Sequence, residues 1–149
     1  MTFDEKYTEL LEELGEGRPM VLSTCENGAV SSRMMSVIRN GGTFFFQTDC
    51  KFRKYRQLLS GIAALCADNI SLEGKVSMLG HPKEAPLFCR LFEKRFKGSF
   101  DAYTFLEDER LFAFEPVYAE RWVYLGGEPY LETFDIPAKE YRCVMYEHN

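Results

Sequence analysis

The sequence predicts a mainly β fold with interspersed helices (α+β), arranged as an antiparallel barrel that is closed or split. Three observations carry that reading. Short apolar runs follow one another with tight-turn pairs between them, Asn27-Gly28 and Gly41-Gly42. About seven such strands can be traced, and closure into a barrel removes the edges that an open antiparallel sheet leaves bare. Aromatics reach 15% of the chain, with 13 Phe and 8 Tyr, and rings in such numbers pack in β-rich cores, protomer interfaces or against flat ligands. A β-sandwich is the alternative that this pattern leaves open.

Taken in order, Phe3, Tyr7, Leu10, Leu11 and Leu14 recur at helical spacing, and Gly15 supplies a stop, which predicts an amphipathic helix over about 4–14. "RPMVLSTC", "AVSSRMMSVI" and "TFFFQT" are then three strands of a meander, the first two joined by a type I′ turn at Asn27-Gly28. From Lys51 to Leu59 the apolar residues fall at helical intervals, with Thr48-Asp49 resembling an N-cap. "IAALCAD" and "LEGKVSMLG" are two further strands. Beyond the prolines of "HPKEAP", "LFCRLFEKRFKG" places Leu87, Phe88, Leu91, Phe92 and Phe96 on one helical face, as a cover over the sheet. "LFAFEPVYAERWVYLGG" reads as one or two strands broken near Pro116, and "EPYLETFDI" as a short last one.

The 149 residues suit a single domain spanning 1–149, without repeats or a linker. The net charge of −5 argues against a general nucleic-acid partner, which calls for a broad basic surface. Five cysteines, without a CxxC pair or a histidine at ligand spacing, signal neither a zinc site nor a disulfide framework, and suggest reduced thiols in the cytoplasm. Cys25, Cys66 and Cys143 read as small core residues. The longest apolar runs, such as "IAALCA", fall far short of the roughly 20 residues of a membrane helix, so no membrane association is expected.

Two basic features stand out against this acidic background. Strand alternation puts Arg33 on the same face as Met35 and Val37, and a guanidinium there needs a carboxylate or an anionic ligand. Lys51, Arg53, Lys54 and Arg56 follow the third strand, either as a solvated helix face or, with Arg33, as a site for a phosphate monoester. His81 sits in a turn before Pro82, His148 lies at the chain end, and neither has an evident catalytic partner. Phosphate-loop, dinucleotide-binding, nucleophile-elbow and HExxH patterns do not occur, and no catalytic residue can be assigned.

The run "MVLSTCENGAVSSRMMSVIRNGGTFFFQTDCKFRKYRQLLSGIAALCAD", continued by "KVSMLGHP" and "LFAFEPVYAERWVYLGG", resembles the pyridoxamine 5′-phosphate oxidase-like family of FMN-binding split barrels. The resemblance rests on Arg33-Met34 in one strand, on Thr48 ending the next with Lys54 six residues later, and on the "KYRQL" continuation. It implies a homodimer with two FMN sites at the subunit interface and a hydride transfer to a small substrate. Arg33 and Lys54 would hold the phosphate. Met34, Met35 and Ser36, with Gln47, Thr48 and Asp49, would line the flavin, and Trp122 would approach it from the partner. Haem and the deazaflavin F420 are the alternative cofactors, and a non-catalytic sensor or store is the alternative role. Two departures are visible: Phe52 stands where many relatives have a small hydroxylated residue, and the late Arg-x-His element of the vitamin-B6 oxidases is missing, which argues against pyridoxamine phosphate oxidation.

Overall fold

The computed structural model describes residues 1–147, so His148 lies outside the described residues. Helix α1 (Phe3–Leu14) begins where the Thr2 hydroxyl accepts from the Glu5 amide and ends at Gly15, whose φ of 79° suits a residue without a Cβ. It buries Leu10, Leu11 and Leu14. Strands β1 (Gly17–Glu26) and β2 (Ala29–Asn40) then form a hairpin in register from Glu26↔Ala29 to Gly17↔Ile38. Both turn residues, Asn27 and Gly28, have positive φ, 51° and 80°, as a type I′ turn requires.

β3 (Thr43–Asp49) continues the meander, and helix α2 (Arg53–Leu58) follows. Next come β4 (Ile62–Ala67), β5 (Ile70–Gly80), a 3₁₀ turn at Pro82–Glu84, α3 (Pro86–Arg95) and α4 (Lys97–Tyr103). The chain ends with β6 (Glu109–Leu125), β7 (Glu128–Asp135) and β8 (Glu140–Met145).

Six strands close into a barrel in the order β1-β2-β3-β6-β5-β4, because β3 pairs with β6 and β4 with β1. This is a closed barrel with β7 and β8 added beyond the far half of β6, and not a sandwich. Closure places Phe44 opposite Phe114 and Phe46 opposite Phe112, and all four are at most 1% exposed. With Leu22, Leu65 and Leu72 they fill the interior. Each such side chain contributes about 1.5–3 kcal/mol by burial, which makes this closure a main source of stability. A second cluster, Ile38, Phe88, Phe92 and Leu111, seats α3 against the barrel.

The strand β6 is continuous through Pro116, where the sequence reading allowed a break. The strand does not break there, but its register with β5 shifts beside the proline: Glu73↔Tyr118 is followed by Gly74↔Pro116, and Val117 of β6 is the extra residue. A Cβ at Gly74 would lie 2.4 Å from the Glu115 carbonyl oxygen, so only glycine permits this approach.

Other expectations need correction. The helix expected at Lys51–Leu59 is shorter, and Thr48-Asp49 do not cap it: Phe52 holds the N-cap position without a side-chain bond, while Asp49 Oδ1 accepts from the Lys51 amide in a preceding turn. The segment following Pro86 is two helices divided at Phe96, and Leu87 is 42% exposed rather than part of the covering face. Cys66 and Cys143 are exposed, not core. β8 gave no strand signal that the sequence reading used.

On the far side of the fold, Arg121 of β6 binds three carboxylates, Glu132 at 2.6 Å, Glu13 at 2.6 Å and Glu9 at 2.9 Å. Tyr141 of β8 donates to the other oxygen of Glu132, so one cluster ties α1 to β6, β7 and β8. Among the described residues no helix is long and apolar enough to cross a membrane.

Candidate functional site

A cavity of about 420 Å³ opens where the middle of β2 and the end of β3 meet α2, α3 and α4. That size is within the usual range for small-molecule sites. β2 supplies Met34, Met35 and Ser36, and β3 supplies Gln47, Thr48 and Asp49. The start of α2 adds Phe52 and Lys54, the helices add Phe92, Ser99 and Tyr103, and Leu106 and Glu109 complete the wall.

Strand geometry explains the β3 contribution. Its last residues run past the barrel rim while still laddered to β6, as Gln47↔Leu111, Thr48↔Arg110 and Asp49↔Glu109. Gln47 is fixed by a hydrogen bond from the Thr104 hydroxyl, 3.0 Å away. The Thr48 hydroxyl is buried and has no hydrogen-bond partner among the described residues. A buried hydroxyl left in that state costs about 1–3 kcal/mol, which a water or a ligand reaching it relieves.

Lys54 is half-buried, and its ammonium lies 5.2 Å from the centroid of the Phe52 ring. No carboxylate lies within ion-pair distance of Lys54 among the described residues. Burial lowers its pKa, the positive charge of Arg33 lowers it further, and Glu109 opposes both.

Arg33 does not line the cavity wall. It shares the inward side of β2 with Met35 and Val37, as strand alternation predicts, and its guanidinium donates to the Leu22 carbonyl (3.3 Å), the Thr24 hydroxyl (2.8 Å) and Gln57 Oε1 (3.0 Å). All three acceptors are neutral. Burial and the neighbouring Arg53 lower its pKa, so Arg33, Arg53 and Lys54 form a cluster of cations that repel one another.

Trp122 also stands apart from the cavity. It lies thirteen residues beyond Glu109 on the same strand, roughly 40 Å of chain at the usual rise, with edge-on contacts to Tyr124 and Tyr146. It is 36% exposed.

Glu109 escaped the sequence reading. It is 5% exposed and faces the cavity from the first position of β6. Burial and the opposed Asp49 carboxylate push its pKa up to about 7, against the pull of Lys54. Only its register partner could have revealed it, and that pairing depends on barrel closure.

No family model and no curated protein matches the sequence. Solved structures do match the fold. A pyridoxamine 5′-phosphate oxidase-related, FMN-binding protein from Nostoc punctiforme aligns over 97% of this chain and 96% of its own, with a TM-score of 0.62 at 14% identity. PhzG from Burkholderia lata, solved in complex with tetrahydrophenazine-1-carboxylic acid, aligns over 97% and 90%, with a TM-score of 0.64 at 14% identity. HutZ, the haem storage protein from Vibrio cholerae, aligns over 78% and 91%, with a TM-score of 0.58 at 18% identity. The chain therefore has the split-barrel fold of the FMN-binding type.

Proposed function

We propose that this cavity binds FMN and that the protein is a flavin-dependent oxidoreductase acting on a small substrate. The observation that carries the reading is the Lys54 ammonium, half-buried at a cavity that Thr48 also lines and without an ion-pair partner among the described residues. The partial burial of that ammonium is compensated by an anionic, hydrogen-bonding ligand. Lys54 would hold the phosphate directly, with Arg33 adding its field from behind the wall. Met34, Met35 and Ser36 would meet the flavin along β2, and Gln47, Thr48 and Asp49 along β3. Bound flavin supplies the hydride chemistry, which fits a site without an assigned general base.

Trp122 lies off its own chain's cavity, so it would serve the site only from a second copy. A homodimer is part of this proposal, and the exposed Val30, Met34 and Ile62 on the barrel exterior support it. Five unpaired cysteines suit a reducing, cytoplasmic setting.

His81, the one histidine among the described residues, does not line the cavity and offers haem no ligand. Its Nε2 is bonded to the Leu106 carbonyl at 2.7 Å, and its Nδ1 accepts from the Lys83 amide at 3.0 Å, so neither ring nitrogen is free to ligate iron. F420 also carries a phosphate and is separated from FMN by direct competition.

Titration with FMN, followed by flavin fluorescence, tests the reading. Lys54→Ala is expected to weaken FMN binding by about 1.5–3 kcal/mol, roughly 10- to 150-fold, and Arg33→Ala, which removes only a field, by less. Absence of FMN binding by the unmodified protein overturns the proposal. Anaerobic bleaching by NADH or NADPH distinguishes an oxidoreductase from a store.

A further inference from the structure

Asp49 and Glu109 are direct cross-strand partners in the β3–β6 ladder, and both line the cavity that Lys54 enters from α2. Directly opposed side chains of this kind have Cβ atoms about 4.5–5.5 Å apart, where two ionised carboxylates repel. The two are not equivalent. Asp49 accepts from the Lys51 amide at 2.7 Å and has Lys51 Nζ at 3.9 Å, so its charge is compensated. Glu109 is 5% exposed, and its carboxylate, unlike its backbone, has neither a hydrogen bond nor an ion pair among the described residues.

The other charges nearby are committed elsewhere. Arg110 donates to the backbone carbonyls of Glu107 and Glu109, and Lys51 pairs with Asp108 at 3.1 Å. Tyr103 of α4 also lines the cavity. Lys54 is thus the cation that Glu109 feels, with Arg33 and Arg53 behind it.

We infer that Glu109 is a proton-operated gate on the anion end of the cavity. When protonated it leaves the Lys54 charge to a phosphate, and when ionised it competes with that phosphate for Lys54. A carboxyl that titrates near neutrality makes the gate responsive in the physiological range. Once pH exceeds the point at which free Glu109 ionises, binding of a phosphate ester draws a proton onto it, until the higher pH at which it ionises in the complex; below the first point, binding leaves Glu109 protonated as it was. The inference rests on the phosphate site proposed above.

The test compares FMN affinity across pH in the whole protein and in Glu109→Gln, since the FMN phosphate has a titration of its own that both proteins share. The variant is expected to bind about tenfold more tightly than the unmodified protein at pH 8 and within about twofold of it at pH 6. Asp49→Asn, which removes the opposed carboxylate, should move the loss of affinity to higher pH no further, and instead shift it to lower pH. Calorimetry in buffers of different ionisation enthalpy should show extra proton uptake at pH 8 that the Gln variant lacks. Parallel affinity profiles for the unmodified protein and Glu109→Gln overturn the gate while leaving FMN binding intact. Failure of the unmodified protein to bind FMN at any pH overturns the site itself, and the gate with it.

Discussion

Arg33 donates from Nη2 to Gln57 Oε1 at 3.0 Å, which joins β2 to α2 through an uncharged acceptor. Gln57 is 3% exposed and also accepts from the Thr24 hydroxyl at 2.7 Å, so a single amide oxygen organises two donors. The arginine is held in place without being neutralised.

Replacing that acceptor with a carboxylate changes the charge and keeps the shape. Gln57→Glu is expected to leave stability equal or raise it by about 1 kcal/mol, because Arg33 gains a charge-assisted bond. FMN affinity is expected to fall about tenfold, since the new charge offsets the cation cluster. Urea unfolding and FMN titration read the two effects separately, and tighter FMN binding would contradict the role given to Arg33.

Thr48→Val should also act with opposite signs on stability and binding. Without ligand, removing the unpartnered hydroxyl relieves a desolvation cost, and a gain of up to about 1 kcal/mol is expected in thermal or urea unfolding. With FMN, the same change is expected to cost about 0.5–1.5 kcal/mol of affinity. A loss of stability in the free protein would show that Thr48 already has a partner.

The Arg121 cluster predicts where acid attacks the fold. Burial pushes the Glu132 carboxyl up, but hydrogen bonds from Arg121 and Tyr141, together with the charges of Arg121 and Lys6, outweigh it and hold the pKa below the ordinary value. A depressed carboxyl stabilises the fold above its unfolded pKa, and that contribution disappears as pH falls through the folded value. Hydrogen exchange in α1 should therefore accelerate as pH drops below the usual carboxylate range, after correction for intrinsic rates. Arg121→Met should cost about 3–5 kcal/mol, and adding Glu132→Leu should recover much of it. Equal stability of the two variants would remove the buried charge as the cause.

The sequence showed most clearly what is encoded locally. The hairpin at Asn27-Gly28 follows from two adjacent residues that tolerate positive φ, and α1 from its apolar spacing and Gly15 stop. Barrel closure was read from the number of strands and their need to hide edges, although its register was not visible. The same limit hid Glu109, since its partner Asp49 lies in a distant part of the chain. Asp49 misled the N-cap assignment because an aspartate that bonds an amide two residues on looks, in sequence, like one that starts a helix. Arg33 was legible as a residue needing a partner, but a glutamine and a threonine as its acceptors were not. β8 was missed because its exposed, mixed-polarity residues lack the alternation of a half-buried strand.

The pairing of β3 with β6 has one more consequence. The local hairpins can assemble early, whereas this long-range seam must wait for both halves of the chain to arrive. The cavity is walled from both sides of the seam, so it exists only once folding has finished there. A molecule lodged in it acts as a latch across the last joint to form, and slows the first step by which the barrel would come undone.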